Sequence, residues 1–253
     1  MLKIITMLTM FLFGMVTKGQ IAEIRTAAQF SRIEIRNATL FYMESDTTSI
    51  RVEAQNEAGC KQLKTQVVDG TLKIGNTKYN PENKVKVYVS AKNISFFKAA
   101  DNAIIEVSNQ LTALNLKVVL QSGASFSGNI NAKNKVNIEA RKQTTFRAKI
   151  QSQTLEGHFK DNAKIILCGR TEKAVIHNAD RAWCNARNLV THSLTVRAEG
   201  SSEAWIYSNK YMAIEVIDSA KVIYNGIPQA LSLNLDAIAL EKKRSETAVS
   251  YQY

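Results

Sequence analysis

The sequence predicts an all-β chain wound largely as a parallel β-solenoid, and three observations carry that prediction. Apolar and polar residues alternate in short runs, a small or polar corner precedes the same inward position again and again, and the interval between corners stays near 20 residues. At 253 residues, 45% of them hydrophobic, the chain can bury a core in one or two domains. Only two prolines and no low-complexity tract leave little room for disorder away from the termini.

Residues 1–19 read as a signal peptide. Lys3 supplies a positive start, Ile4 to Val16 is apolar apart from Thr6, Thr9 and Gly14, and Thr17-Lys18-Gly19-Gln20 returns to polar and small residues. A run of about 13 residues is too short for a stable bilayer anchor and right for a signal-peptide core. A buried N-terminal helix or strand is the competing reading. No A-x-A marks the cut, so cleavage is placed near Gly19 or Gln20. The first cysteine, Cys60, comes too late to carry a lipid on the mature N-terminus. The expected location is the periplasm, the outer-membrane surface or the medium of a gram-negative type envelope. The mature chain is expected to have no transmembrane segment, and loss of Lys3 and Lys18 lowers the net charge from +11 to about +9.

From residue 20 to 93, short strands are expected, continuous with the solenoid. Arg32–Arg36, Ser49–Glu53, Thr71–Ile74 and Lys84–Val89 each alternate apolar and polar residues, the period of a half-buried strand. Turn residues separate them at Glu44-Ser45-Asp46, at Val68-Asp69-Gly70 and from Gly75 to Pro81. Asn56 to Lys64 can form one or two helical turns.

From residue 94 to 235 the chain repeats itself. Asp101-Asn102-Ala103, Ser122-Gly123-Ala124, Lys142-Gln143-Thr144, Asp161-Asn162-Ala163, Asn178 to Ala182, Gly200-Ser201-Ser202 and Asp218-Ser219-Ala220 each lead into a short strand. The expected anchors are Ile105, Phe126, Phe146, Ile165, Ala182, Ala204 and Val222, spaced by 21, 20, 19, 17, 22 and 18 residues. One coil of a parallel β-helix needs about 20 residues, and stacked coils lie about 4.8 Å apart. An antiparallel sandwich with accidental regularity is the alternative. Residues 236–253 form a tail, with Glu241-Lys242-Lys243-Arg244 as a solvated end or short helix.

Chemistry is sparse. His158, His177 and His192 fit no H-x-x-x-H or H-E-x-x-H pattern and are read as sharing no spacing, so neither catalysis nor metal binding is assigned. There is no G-x-S-x-G, phosphate-cradling glycine loop or C-x-x-C. Asp101, Asp161 and Asp218 stand about three coils apart, roughly 14 Å, too far to share a metal, and read as corner residues. Asp161 with Asp180 is a weak two-acid cation pair. Cys168 and Cys184 lie about one repeat apart but with offsets that put them on opposite faces, so free thiols are favoured over a bridge. No cofactor and no nucleic acid is expected.

Charge is more informative. Between Lys133 and Arg197 stand 13 basic residues against five acids, Glu139, Glu156, Asp161, Glu172 and Asp180. An unneutralised basic face attracts polyanions such as acidic glycans or lipopolysaccharide phosphate; charges scattered over several sides are the alternative. Trp183, Trp205, Tyr207 and Tyr224 cluster late in the repeat, as a sugar-stacking platform or as ladder and end packing. The candidate ligand-binding residues are Arg141, Lys142, Arg147, Lys149, Lys164, Arg181, Trp183, Trp205 and Tyr207.

Several segments taken in order carry a family resemblance. They are Phe30-x-x-Ile33, Val67 to Ile74, Val85-x-Val87-x-Val89, Ser122-Gly123-Ala124-Ser125 and the closing Val222-x-Tyr224-x-Gly226-x-Pro228. The chain resembles the head-GIN domain family, described as putative autotransporter adhesins of gram-negative envelopes, over roughly Phe30 to Leu235. It departs from the family at most corners. The resemblance implies a right-handed β-helix-like fold and an adhesin role, with no catalytic residues. The expected function is therefore an exported, non-catalytic protein that binds a glycan or another envelope or host polymer along a rigid flank. Two other classes stay open: a structural envelope protein that stacks end to end, and a carbohydrate-active enzyme, which would require a groove of clustered carboxylates.

Overall fold

The computed structural model describes residues 21–76, 85–235 and 240–242; the expected leader, and the expected tail apart from 240–242, lie outside them. The chain opens with β1 (Ile21–Arg25), β2 (Arg32–Arg36), β3 (Thr39–Glu44) and β4 (Ser49–Ala54), then a short helix, α1 (Glu57–Gln62). Next come β5 (Leu63–Val68), β6 (Thr71–Asn76), β7 (Lys86–Ala91) and β8 (Phe96–Ala100). Five long strands follow: β9 (Ile104–Gln121), β10 (Ser125–Arg141), β11 (Thr145–Phe159), β12 (Lys164–Asn178) and β13 (Trp183–Ala198). The stack finishes with β14 (Glu203–Tyr207), β15 (Tyr211–Val216), β16 (Lys221–Asn225), β17 (Ala230–Leu235) and β18 (Leu240–Lys242).

Each long strand bends once and serves two flanks; between β10 and β11 the bend shows as a register shift between Asn131 and Lys135. Flank I stacks β3, the first halves of β9 to β13, then β14, β16 and β18, all in parallel. Flank II stacks β6, β2, β8, the second halves of β9 to β13, then β15 and β17, again in parallel. The solenoid expected from the repeat is what the chain forms.

Each return from flank II to flank I is a tight turn. The Ala103 N–H donates to the Ala100 carbonyl (3.2 Å), Ala163 to Lys160 (3.2 Å) and Ala182 to Ala179 (3.0 Å). The residues inside these turns enter the left-handed region: Asp101 (φ 56°), Asn102 (61°), Asp161 (55°), Asn162 (65°) and Asp180 (58°). Asx side chains and glycine tolerate that region best, which explains the Asp-Asn corners, although Lys142 (62°) and Gln143 (61°) adopt it at the corner between. The aspartates are thus selected for backbone conformation. The third corner residue points inward, where neighbouring coils leave room only for a small group. Ala38, Ala103, Ala124, Thr144, Ala163, Ala182, Ser202 and Ala220 form this buried column.

The inward ladder of flank I runs Leu40, Ile105, Phe126, Phe146, Ile165, Cys184, Ala204, Val222, each in register with the next and almost fully buried. One expected anchor is corrected. Ala182 belongs to the corner column, and Cys184 takes the ladder position. From Ile105 the steps become 21, 20, 19, 19, 20 and 18, so the irregular 17 and 22 came from taking a corner alanine as a ladder residue. The Phe126 and Phe146 rings stack at 5.1 Å and 8°. Burying each such ring contributes about 1.5–3 kcal/mol.

Cys184 is inside, where burial pushes its thiol up to about 12. Cys168 points outward, and all three cysteines are free. Past the irregularity between Ile166 and Cys168, Gly169 adopts φ 108°, and a Cβ there would stand 2.1 Å from the Ile150 carbonyl oxygen.

Flank II buries Ala140, Phe159, Asn178, Ala198 and Val216 in register. Asn178 ties this ladder to the corners, its Nδ2 donating to the carbonyls of Ala182 (3.1 Å) and Glu203 (2.9 Å).

Between the Ala38 and Ala103 corners the chain makes an excursion over the N-terminal end of the stack. There β7 pairs parallel with β3, but β4 runs antiparallel to β7 and β1 antiparallel to β4. On flank II, β5 is antiparallel to β6, turned by Asp69 (φ 50°) and Gly70 (φ 67°). The helix starts where Asn56 Oδ1 accepts the Gly59 N–H at 2.8 Å; it lies within the stretch where helical turns were expected.

Candidate functional site

On a strand, alternate residues face the same side, so the outward positions of flank I follow directly from the buried ladder. They bring Arg147 and Lys149 (β11), Lys164 and Arg170 (β12) and Arg187 with Trp183 (β13) onto one surface spanning three coils. No carboxylate occurs in the flank I halves of β10 to β13, and among the described residues none of these five cations has an ion-pair partner. Their neighbours are neutral and polar: Ser125, Ser127 and Asn129 on the coil before, Asn185 and Asn188 on β13.

Two tryptophans hold two of the cations in place. Lys164 Nζ lies 5.7 Å from the Trp183 ring centre, and the Arg187 guanidinium 4.2 Å from that of Trp205. Trp205 also donates its indole N–H to Glu203, and Arg187 Nε donates to Asn185 Oδ1 at 3.2 Å. A guanidinium resting on an indole keeps its charge while losing freedom, so it meets an anion already oriented. The rings therefore carry cations on one face, unlike an open sugar-stacking platform. Tyr207 is half-buried on β14, its hydroxyl accepting from Asn209 Nδ2. Tyr224 leaves the aromatic group, since it points into the core at 5% exposure.

The structure thus gathers six of the nine candidate residues, Arg147, Lys149, Lys164, Trp183, Trp205 and Tyr207, on flank I. Lys142 and Arg181 sit exposed on the corners, and Arg141 stands at the edge of flank II. Arg170 and Arg187 belong with the first group and were absent from the candidates; counting outward positions from the ladder finds both.

Flank II handles charge differently. Lys117 pairs with Glu139 (2.6 Å), Lys135 with Glu156 (2.7 Å), and Arg197 with both Glu199 (3.4 Å) and Glu215 (3.1 Å). Bonding to Lys135 holds the Glu156 carboxyl below its ordinary range despite some burial. The expected basic excess is therefore neutralised in part on this side.

The histidines correct the sequence reading. His158 and His177 are 19 residues apart, one coil, and they face each other in register on flank II with rings stacked at 4.9 Å and 8°. Burial, then the neighbouring His158 and Arg197, hold His177 below its ordinary range. Beside the pair lies a cleft of about 440 Å³ lined by Glu139, Arg141, Lys160, Phe159, Ala179 and Glu199. His192 is elsewhere, 2.9 Å from Glu172. Among the described residues no group of three or more His, Cys, Asp or Glu is placed to hold a metal ion.

A two-flanked β-solenoid with one bare basic side defines a class of rigid, repetitive protein. Within that class, the family model described as "Putative auto-transporter adhesin, head GIN domain" matches residues 29–135 and 127–228. The chain belongs to this head-GIN family. Solved structures share its fold: a "putative adhesin" from Parabacteroides merdae has a TM-score of 0.80 at 16% identity, covering 88% of this chain and 96% of that one. A second "putative adhesin", from Parabacteroides distasonis, also scores 0.80 at 14% identity, covering 88% and 97%. A "putative lipid binding protein" from the same species scores 0.70 at 14% identity, covering 90% and 98%. No curated protein matches the sequence.

Proposed function

We propose that this chain is an exported, non-catalytic adhesin that holds a glycan or another envelope or host polymer along flank I. The observation that carries this reading is the contrast in charge: five cations without ion pairs and no carboxylate share the flank I halves of β11 to β13, while flank II sets acids against Lys117, Lys135 and Arg197. A flat parallel sheet moves little on binding, so several weak contacts add along a polymer without an ordering cost for each. The family and its solved relatives, described as adhesins, support a binding role. Export is supported by the leader-like residues 1–19.

The test is an array of neutral and acidic glycans probed with the chain from Gln20 to Tyr253 at low and high salt. Saturable binding to a defined glycan, lost when Arg147, Arg170 and Arg187 become Gln, supports the reading. Attraction to every acidic polymer alike, abolished by salt, would reduce flank I to general charge. Silence across the array would sink the glycan partner.

A further inference from the structure

The cleft on flank II has a cause in the sequence. From the Ser122 corner onward, the residue just before each corner forms an outward column of Gln121, Arg141, Lys160, Ala179, Glu199 and Ile217. All are long except Ala179, so the column has a notch at that coil, and the notch opens toward the His158–His177 stack. At about 440 Å³ the space lies within the range of small-ligand pockets and takes one or two sugar rings.

Its charges are sorted. Glu139 is held by Lys117 at 2.6 Å and Glu199 by Arg197 at 3.4 Å, whereas Arg141 and Lys160 have no carboxylate partner among the described residues. These two cations stand on adjacent coils, Lys160 N–H donating to the Ala140 carbonyl at 3.0 Å. Their Cα atoms are therefore spaced by about 4.8 Å along the stack, which suits the two oxygens of one carboxylate. The imidazoles and the Glu139 and Glu199 oxygens then offer donors and acceptors to hydroxyl groups. A bare metal ion fits poorly beside two unpaired cations, and an apolar ligand would leave every one of these groups unmatched.

We propose that this cleft is a pocket for a single acidic sugar unit, a hexuronic acid or similar carboxylated monosaccharide. Arg141 and Lys160 take its carboxylate, and His158, His177, Glu139 and Glu199 take its hydroxyls. The pocket is separate from flank I and stands or falls without it.

Calorimetric titration of the chain with glucuronate and galacturonate, with glucose and acetate as controls, tests this. The uronates bind saturably, and glucose and acetate bind at least about tenfold more weakly, since each lacks half of the recognition. Arg141→Ala weakens uronate binding about tenfold. Ala179→Gln fills the notch without altering any charge, abolishes uronate binding and leaves the thermal midpoint unchanged. Acetate binding as well as the uronates would mean a bare anion site and overturn the proposal. So would uronate binding indifferent to Ala179→Gln, or no uronate binding at all. Monosaccharides do not span flank I, so polymer binding that survives Ala179→Gln leaves the adhesin reading intact while this one fails.

Discussion

Flank I and flank II are made by the same long strands, β10 to β13, on either side of one bend, yet carboxylates project only from the second. In a parallel stack each outward residue has in-register neighbours about 4.8 Å above and below, so like charges in one column repel. Flank II answers with an acid one coil away, as in Lys117–Glu139, Lys135–Glu156 and Arg197–Glu215. Flank I answers by stagger. Arg147 meets Ser127 and Ile166 in its column, Lys149 meets Asn129 and Cys168, and Arg170 meets Gln151 and Val190. No two of these cations are direct vertical neighbours. Stagger lets a basic surface persist without internal neutralisation, so its potential stays available to a partner.

The largest expected way to break this contrast is to disturb the backbone under flank I. Gly169→Ala forces a Cβ onto φ 108° and against the Ile150 carbonyl. It is expected to cost about 1–3 kcal/mol or more, read as a fall in the denaturant midpoint. An unchanged midpoint would show that the bulge relaxes freely. Next is the exchange of charges between flanks. Changing Arg147, Arg170 and Arg187 to Gln is expected to weaken binding to an acidic polymer by about tenfold or more with stability unchanged. The mirrored set, Lys117, Lys135 and Arg197 to Gln, is expected to leave that affinity within about twofold. Equal losses from both sets would erase the distinction.

A smaller effect comes from pH. His177 titrates below its ordinary value of 6.5 in the folded chain, so the unfolded chain binds the proton first. Its contribution to stability is whole above pH 6.5 and is lost as pH falls through the lowered folded value. His177→Gln should flatten that part of the profile; a wild-type curve already flat there would refute the assignment. The smallest change is Lys135→Met, which removes one partly exposed pair. It is expected to cost under about 1 kcal/mol and to return the Glu156 carboxyl toward its ordinary range, visible by NMR titration.

Much of this was legible in the sequence because the repeat imposes two strict periods at once, alternation along the strand and about 20 residues along the axis. The corner at Asp161-Asn162-Ala163 and the ladder from Ile105 to Ile165 follow from those periods alone. What was missed lay where a single position broke the pattern. Cys184 hid as a ladder residue because Ala182, two places earlier, is equally small and apolar. His158 and His177 went unpaired because their 19-residue interval acquires meaning only once it equals a coil. The cleft beside them depends on Ala179 being short among long neighbours, and alanine on its own gives no signal. Which cations were bare and which were matched required knowing the flank of each.

The antiparallel strands at the N-terminal end have a consequence for self-assembly. A column of in-register parallel strands is a template on which further identical coils can seed and grow into a fibril. Here β4 on flank I runs against the coils and β1, antiparallel to β4, runs with them again, whereas on flank II the outermost described strand, β5, is reversed, so another copy's coil, which needs a parallel edge on both flanks, meets a mismatched one. The excursion that breaks the repeat after its first corner thus works as a terminator, allowing a long solenoid to remain of fixed length.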